Sequence, residues 1–437
     1  MSEQRRYSFM KTQKQNPDQS PKPQPLLSLD QARGHMLAAL KGECITGQSN
    51  DGDKVQLADL PGRILAADVI SPINAPPADN SAMDGYAFNF AALGDNNAEK
   101  AVFTLVGKAL AGEPFIGRVQ AGQCLRIMTG AEVPQGCDTV VMQENVTVDG
   151  ETITLKKIPN PQANVRYAGE DIKKGETLFR TGHRLGPVDI GLLATMGIAE
   201  ATVRPRLKVA VFANGSELRP PGEVLAAGEI YDSNRFFLKA MLERLGCEVN
   251  DIGVIPDDLE QLRCAFIKAD ASADAVITCG GASVGEADYT RQLLREQGDV
   301  GFWKVAIKPG KPFMFGQLAN STFFGLPGNP MSALVTFYQL VLPALQKMQG
   351  LETVPTLALS ARASCDIRRN RNRLEFLRAR LTTDSEGELH VTPDKQQSSG
   401  ALSSFARSNC FILLEAGEEL LKKGEKVKVR LFDGVLR

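Results

Sequence analysis

The run GGASVGEAD, residues 280–288, is the first candidate for chemistry. Its glycines let backbone N–H groups approach an anion closely, and Ser283 adds a hydroxyl donor. The run matches neither GxGxxG nor the P-loop pattern, so no common mononucleotide motif explains it. A glycine-rich turn after a strand can also be purely structural. We predict phosphate contacts from the residues of its first half, Gly280, Gly281, Ser283 and Gly285.

Lysines and a predicted helix start follow within 50 residues. Lys304, Lys308 and Lys311 alternate with apolar residues in WKVAIKPGKP, and LPGNP, residues 326–330, opens the next helix. A helix N-terminus presents free N–H groups and partial positive charge, and lysines add point charges. Such lysines are often merely solvated. Two anion-binding features in one segment favour a bound diphosphate or similar anion.

Acidic residues lie on neighbouring loops, namely Glu217, Asp257, Asp258, Glu286 and Asp288. Carboxylates beside an anion make physical sense if a hard divalent cation such as Mg²⁺ bridges the two. The alternative role is helix capping, which suits Asp257 or Asp258 before a helix and is also open for Asp288.

Alternating strands and helices must position these groups. The pattern predicts strands at 207–213, 247–255 and 274–279, and helices at 232–246 and 258–269. Such an alternation gives right-handed βαβ units and a parallel sheet. Ligands bind beyond the carboxyl ends of such strands, which here are followed by the loops 214–217, 256–258 and 280–288.

The other regions are rich in β-structure. Residues 71–168 contain short β-like runs, and residues 356–437 contain alternating segments typical of a small β-barrel or sandwich. Helices are predicted at Asp30–Leu40 and Pro187–Met196. The fold class is therefore multidomain α/β plus β.

Composition excludes several classes of protein. The 437 residues carry a net charge of −1, so a nucleic-acid partner is not implied. Eight cysteines without a CxxC pair indicate buried residues in a reducing cytosol, and three scattered histidines give no zinc pattern. Residues 1–25 lack an apolar core and predict a disordered tail, not a signal peptide. The uncharged stretch 312–346 is interrupted by glycines and prolines, which favours a buried helix over a membrane span.

Three polar turns carry further candidates. They are NSAMDGYA at 80–87, RIMTG at 126–130 and RYAGED at 166–171. They offer carboxylates, hydroxyls and arginines on loops, but physical chemistry alone assigns them no function.

Seven motifs together resemble the MoeA-type molybdopterin molybdenumtransferase family, which is related to the C-terminal part of eukaryotic gephyrin. From about residue 28 onward they occur in the family's order: PPADNSAMDGYA, RIMTGAEVP with VVMQE, NVRYAGEDI, GEIYDSN, TCGGASVGEADY, KPGKPF and GLPGNPMSA. The resemblance implies a homodimer with four parts. These are a central domain of residues 28–72 and 169–206, a β-rich insertion of residues 73–168, a MogA/MoaB-like molybdopterin-binding α/β domain of residues 207–355, and a C-terminal β-barrel of residues 356–437.

The resemblance also implies a reaction. The family joins molybdate to adenylylated molybdopterin and releases AMP, with a divalent cation. The site lies between the α/β domain of one subunit and the insertion of the other. By family position, the residues facing this cleft or the nucleotide are Asp84, Thr129, Asp171, Glu217, Asp257, Asp288, Lys304, Lys308, Pro327 and Pro330. Implied partners are the adenylyltransferase of the preceding step and the molybdoenzymes that accept the cofactor, all in the cytoplasm.

Two departures from the family's pattern are visible. A Thr-Gly-Asp-Glu run is common where this chain has Asn214-Gly-Ser216-Glu217, and Ser-Gly-Gly-Val-Ser is common where it has Cys279-Gly-Gly-Ala282-Ser283. Because Glu217 and Ser283 are retained, we expect activity. We expect Glu217, Asp257 and Asp288 to hold the cation or guide water, and donors such as Thr129 to contact the oxoanion.

Two alternative functions remain. Adenylyl transfer from ATP to molybdopterin is the preceding step, but its small enzymes lack the regions flanking the α/β domain. A non-catalytic pterin-binding scaffold is the second alternative, because Ser216 replaces a usual acid.

Overall fold

A computed structural model of the chain describes residues 26–40, 52–93, 101–280, 287–351, 357–368, 372–417 and 420–435. The predicted disordered tail and the candidates Gly281, Ser283 and Gly285 lie outside these residues. The backbone of Asp288 is described, but its side chain is not. The chain divides into two compact units, residues 49–205 and the remainder.

The described part of the chain contains eight α-helices. They are α1 Leu29–Ala39, α2 Pro187–Thr195, α3 Asn234–Arg244, α4 Leu259–Ser272, α5 Ala287–Gln297, α6 Pro330–Thr336, α7 Leu342–Met348 and α8 Leu402–Arg407. A π-helical turn, Phe337–Val341, joins α6 to α7.

The strands up to the start of the α/β sheet are β1 Asp53–Gln56, β2 Val69–Ile70, β3 Asn80–Ser81, β4 Gly85–Phe88, β5 Val102–Ala109, β6 Gln123–Ile127, β7 Thr139–Met142, β8 Val146–Asp149, β9 Thr152–Leu155, β10 Val165–Arg166, β11 Thr177–Phe179 and β12 Glu200–Val203. The later strands are β13 Lys208–Asn214, β14 Leu218–Arg219, β15 Ile230–Tyr231, β16 Glu248–Ile255, β17 Ala275–Cys279, β18 Asp299–Lys304, β19 Ile307–Lys308, β20 Pro312–Gln317, β21 Thr322–Leu326, β22 Leu359–Ala363, β23 Ile367–Arg368, β24 Leu374–Thr383, β25 Leu389–Pro393, β26 Cys410–Leu414, β27 Leu420–Leu421 and β28 Lys426–Leu431.

The predicted α/β sheet is confirmed. Its six strands lie in the order β16-β13-β17-β21-β20-β18. The first four pair in parallel, and β20 and β18 add an antiparallel edge, so the sheet is mixed. Apolar residues cover both faces, as the continuous hydrophobic runs of β13 and β17 predict. The carboxyl ends of β13, β16, β17 and β21 therefore meet at one edge.

Helix α1 packs on the α/β sheet. Ser28 and Gln31 form a capping box, in which the Ser28 hydroxyl accepts the Gln31 N–H at 3.1 Å and the Gln31 side chain accepts the Ser28 N–H at 2.9 Å. The buried face of the helix, Leu29, Ala32 and Met36, joins the main core cluster of the α/β unit. The sequence grouped residues 28–72 together, whereas the structure places this helix with the α/β sheet because its apolar stripe is buried there.

The C-terminal strands close into a barrel, as expected. The ring runs β24-β25-β22-β28-β26 and returns to β24. Its interior contains small and branched apolar residues, including Ala379, Val391 and Ile412. Phe376 and Phe411 face outward and pack into the main core of the α/β domain. The barrel and the α/β domain consequently share one hydrophobic cluster.

Residues 49–205 form the other unit. Its main sheet has the order β7-β4-β6-β5-β9-β8. The small pairs β1–β12 and β2–β11 contribute to two further apolar clusters, and β3 pairs with β10. Strands β3 to β10 all lie within residues 71–168, where the sequence indicates short β-like runs. The division of the chain into four domains stays a prediction.

No helix in the described part of the chain is long and apolar enough to cross a membrane. The uncharged stretch that begins at residue 312 contains two strands and the buried helices α6 and α7.

We predict that Met36→Ala destabilises the α/β unit by about 2–5 kcal/mol, because it removes a fully buried side chain from the core. The single tryptophan, Trp303, lies in this unit with its ring centroid 6.4 Å from that of His35, and its fluorescence reports the unfolding. Ala38→Ser, on the exposed face of α1, is the control and should change the free energy of unfolding by less than about 0.5 kcal/mol. Equal stability of Met36→Ala and the wild type would contradict the packing.

Candidate functional site

The predicted residues fall on both compact units. Asp84, Thr129 and Asp171 belong to residues 49–205, and the remaining candidates belong to the other unit.

The loops at the carboxyl edge of the α/β sheet come together. The Gly280 N–H donates to the carbonyl of Leu326 at 3.3 Å, which joins the end of β17 to the end of β21. Gly280 has φ +98°, and a β-carbon there would overlap the carbonyl oxygen of Asn214 at the end of β13. Only glycine permits this approach. The edge predicted from sequence is therefore a real junction of three strand ends.

Three buried polar side chains at this edge have an unpartnered oxygen. They are the amide oxygens of Asn214 and Asn234 and the hydroxyl of Thr278, for which no hydrogen-bond partner exists within the described residues. A buried acceptor without a partner costs free energy, so such groups commonly mark a bound ligand or water. This edge is therefore suited to a polar ligand.

The PGNP turn, residues 327–330, is held by a hydrogen bond from α3. Asn234 donates its side-chain N–H to the carbonyl of Gly328 at 2.7 Å. Asp232, which is 1% exposed, accepts from Arg235 at 2.8 Å, and Arg235 also binds Asp251 at 2.6 Å. The sequence singled out GEIYDSN only as a motif, and the structure shows that its last residues support the turn.

Helix α6 begins as the sequence predicts. Asn329 is the N-cap residue and Pro330 occupies the first turn, where its missing N–H is not needed. Pro327 is buried, whereas Gly328 and Asn329 are exposed. The adjacent lysine loop packs against this helix, since Gly310 has φ +107° and a β-carbon there would overlap the Thr336 hydroxyl.

The two candidate lysines have different surroundings. Lys304 is exposed at the end of β18. Lys308 forms an ion pair of 2.6 Å with Glu375 of the barrel, whose side chain is 3% exposed. Lys304 is thus an open cation, while the charge of Lys308 is already balanced by a buried carboxylate.

The acidic candidates also differ in their hydrogen-bond partners. Asp258 caps α4, with its side chain accepting the Gln261 N–H at 2.9 Å. Asp257 bonds instead with Ser216 across the gap between two loops. The Glu217 carboxylate folds back over Gly215, where a β-carbon would lie 2.5 Å from its Oε2. Asp257 and Glu217 therefore lie at adjoining turns and offer the oxygen donors that Mg²⁺ prefers.

Cys279, at the end of β17, is not a nucleophile. Burial raises the pKa of its thiol, and the Asp232 carboxylate adds to that increase. The departure from serine at this position therefore places a small buried residue in the core, not a reactive thiolate.

In the other unit, the structure brings Asp84 and Thr129 into direct contact. Asp84 Oδ1 accepts both the backbone N–H and the hydroxyl of Thr129, each at 2.8 Å. These two bonds, the backbone one first, lower the pKa of the Asp84 carboxyl. We expected Thr129 to donate a hydrogen bond to the oxoanion. In the structure, its backbone N–H and its hydroxyl both donate to Asp84 instead.

Asp171 lies on a separate turn. Its N–H donates to the carbonyl of Ala75 at 3.0 Å, and its side chain is exposed. Arg126 has its guanidinium carbon 5.0 Å from the centroid of the Tyr86 ring and donates to Gln143 beside the Asp84 turn. This arginine was present in the sequence motif but received no role there.

The barrel contributes an element that the sequence did not reveal. Arg378 is 1% exposed and donates from Nη2 to the carbonyls of Gln396 and Ser398 at 2.8 and 3.0 Å, and from Nε to the Ser404 hydroxyl at 2.9 Å. The next carbonyl, that of Ser399, accepts the Met331 N–H at 2.9 Å. Arg378 therefore fixes a barrel loop that bonds to the first turn of α6.

Comparison with known proteins gives a consistent result. Three family models match in order: MoeA N-terminal region (domain I and II) at residues 27–197, probable molybdopterin binding domain at 210–347, and MoeA C-terminal region (domain IV) at 360–432. A protein from Haemophilus influenzae named molybdopterin molybdenumtransferase is 45% identical over 94% of this chain and 100% of its own length. One of the same name from Staphylococcus aureus strain COL is 34% identical over 84% of this chain and 88% of its own.

Solved structures agree. A molybdopterin biosynthesis MoeA protein from Pyrococcus horikosii matches with a TM-score of 0.77 and 33% identity, covering 94% of this chain and all of that one. A second such structure, from Pyrococcus horikoshii OT3, matches with a TM-score of 0.79 and 29% identity over 93% of this chain.

Thr129→Val should raise the pKa of Asp84 toward its ordinary value of about 3.9 without fully restoring it, because the backbone N–H bond remains. A depressed carboxyl pKa contributes stability above the ordinary pKa that is lost as pH falls through the folded value, so the variant should lose this contribution at a higher pH. Carboxyl ¹³C NMR titration measures the pKa of Asp84. The control is Thr147→Val, at an exposed position on β8. An unchanged Asp84 pKa would show that the hydroxyl bond is not formed in solution.

Arg378→Lys should loosen the barrel loop, because an ammonium group cannot reach all three acceptors, and each buried acceptor left unpaired costs about 1–3 kcal/mol. We expect faster amide hydrogen exchange through residues 394–404 and at Met331. Arg380→Lys, an exposed position on the same strand, is the matched control and should leave exchange unchanged. Equal protection in both variants would exclude this role of Arg378.

Proposed function

The chain belongs to the MoeA family, and from this premise we propose that it is a molybdopterin molybdenumtransferase of molybdenum cofactor biosynthesis. It inserts molybdate into adenylylated molybdopterin and releases AMP. The observation that carries the proposal is the junction of strand ends at the carboxyl edge of the α/β sheet, within the region matched by the molybdopterin-binding family model.

The pterin and its phosphates bind at this edge. The unpartnered oxygens of Asn214, Asn234 and Thr278 can accept hydrogen bonds from a polar ligand. The positive end of the α6 dipole and the exposed Lys304 supply positive potential for the phosphoanhydride. Pro327 and Pro330 belong to this edge by family position, and Gly280, Gly281, Ser283 and Gly285 would contact the phosphates.

Lys308 has a supporting role in this proposal. Its ammonium group is held by Glu375, so it joins the phosphate-binding segment to the barrel and contributes little free charge. Lys304 is the lysine that binds the phosphate directly.

Glu217, Asp257 and Asp288 would hold Mg²⁺. The donor set fits, because carboxylate oxygens at adjoining turns suit a hard divalent cation. A bound Mg²⁺ neutralises charge on the phosphate oxygens.

Asp84, Thr129 and Asp171 act at the reacting centre of the partner subunit, so the enzyme is a homodimer. Asp84 stays ionised because the two Thr129 donors lower its pKa. An ionised carboxylate can orient a water molecule or a molybdate-bound proton, while a direct contact with the oxoanion itself would be repulsive. The partners are the adenylyltransferase of the preceding step and acceptor molybdoenzymes, and the cysteine usage favours a cytoplasmic location.

The adenylyltransferase alternative predicts a different product. The family models on both sides of the α/β domain match MoeA regions, which disfavours it. Purified protein given ATP and molybdopterin should release no pyrophosphate, whereas adenylylated molybdopterin with molybdate should yield AMP and molybdenum-loaded cofactor. Release of pyrophosphate in the first reaction would favour the alternative. No product in either would favour a scaffold.

Variants in the two units should differ in which step they affect. Asp257→Asn should weaken Mg²⁺-dependent substrate binding, while Asp84→Asn should leave binding intact and lower the insertion rate by about 10²–10³. Asp258→Asn is the control for the first, since asparagine caps helices as well as aspartate. Asp149→Asn, at the exposed last residue of β8, is the control for the second.

Mixing the Asp257→Asn and Asp84→Asn variants tests whether each site is shared between two subunits. Random exchange of subunits should restore about a quarter of wild-type activity, because half of the dimers then carry one site with both aspartates intact. Light scattering should first give about twice the chain mass of 47.3 kDa. No recovery after verified exchange would place both residues in the site of one subunit.

A further inference from the structure

Two loops at the carboxyl edge of the sheet are joined by a reciprocal pair of hydrogen bonds. The Ser216 N–H donates to Asp257 Oδ2 at 3.0 Å, and the Asp257 N–H donates to Ser216 Oγ at 3.0 Å. One loop follows β13 and the other follows β16. A single serine therefore binds both the backbone and the carboxylate of Asp257.

The backbone of Ser216 is itself fixed. The neighbouring Gly215 N–H donates to the carbonyl of Ile255 at 3.2 Å, which extends the pairing of the two strands. Arg219 donates to the Ser216 carbonyl at 3.1 Å and forms an ion pair with Glu229 at 2.5 Å. The serine that holds Asp257 is consequently anchored on both sides.

Oxygen donors surround this contact. The described bonds engage one oxygen of Asp257, and the Glu217 carboxylate lies over Gly215 in the next turn. Asn214, which starts the same turn, is more than nine-tenths buried, and its amide oxygen has no partner among the described residues. Glu217 and Asn214 thus place carboxylate and amide oxygens on the turn that carries Ser216, next to Asp257.

We propose that Ser216 is a positioning residue for this cation site: its hydroxyl and N–H hold Asp257 so that the free carboxylate oxygen faces the cation. The inference rests on the proposed function, in which Asp257 is a cation ligand. A carboxylate that is already held loses less conformational freedom on binding, and hydrogen bonds to ligands of this kind tune metal affinity.

The serine also sets the charge of the site. An acidic residue at this position would add a negative charge beside Asp257. Serine keeps the hydrogen bond to the Asp257 N–H without that charge. Asp257 is therefore oriented by a neutral group, and the site attracts a cation with one charge fewer.

Mn²⁺ binding to the full-length protein, measured by electron paramagnetic resonance of the free ion without substrate, tests this role. Ser216→Ala should weaken Mn²⁺ binding by about 10-fold or more, since it removes the acceptor for the Asp257 N–H. Ser216→Thr should retain wild-type affinity, and Ser216→Asp should bind Mn²⁺ more tightly. Amide exchange at Asp257 should accelerate in Ser216→Ala even without metal. Ser272→Ala, at the last residue of α4, where the hydroxyl bonds to Asn250 and Lys268, is the matched control and should change neither quantity.

The outcomes separate the inference from the proposed function. If Asp257→Asn weakens Mn²⁺ binding but Ser216→Ala does not, the positioning role is overturned and the cation site stands. A threonine variant as weak as the alanine variant, or an aspartate variant weaker than wild type, also overturns it. If Asp257→Asn binds Mn²⁺ as the wild type does, the cation site of the proposed function fails, and the inference fails with it. Thermal unfolding of each variant confirms that it is folded.

Discussion

The parallel pairing of β13 with β16 and β17, and of β17 with β21, is the constraint on which the site depends. Parallel strands end at the same edge, so four loops distant in sequence meet there. The approach is close enough that Gly280 has no room for a β-carbon beside Asn214. Every group that we assign to the phosphates or the cation depends on this alignment.

The barrel and the α/β domain are coupled through packing and through one loop. Phe376 and Phe411 extend the α/β core, and Lys308 reaches Glu375 on β24. Arg378 is buried and binds carbonyls of the loop whose Ser399 bonds to α6. Burial lowers the pKa of this guanidinium, and Asp394 only partly opposes the effect. A substitution in the barrel that disturbs these contacts should therefore alter the conformation of the PGNP turn.

Electrostatic groups in both units are held by neutral donors. Thr129 donates twice to Asp84, and Ser216 and Asp257 exchange two bonds. Neutral donors fix a carboxylate without cancelling its charge, so each acid remains free to act on a cation, a proton or water. The same logic explains why an ion pair, such as that of Lys308, indicates a structural role.

Local patterns in the sequence predicted the helices and strands of the α/β sheet and the edge at which its loops meet. Apolar runs and caps predicted β13, β16, β17, α3 and α4 within a few residues, because burial and capping are local patterns. The sequence also singled out Asp84 and Thr129 through their motifs, and Asp257 as an acidic residue on the loop after a predicted strand. Which of these groups touch was decided only by the tertiary structure. The contacts of Asp84 with Thr129, Ser216 with Asp257 and Arg378 with the loop before α8 join residues 45, 41 and about 20 positions apart. The packing of α1 on the α/β sheet, which begins more than 150 residues later in the chain, was likewise shown only by the tertiary structure. Spacing in a chain does not encode such pairings, since they arise from strand register and from which apolar faces are buried together.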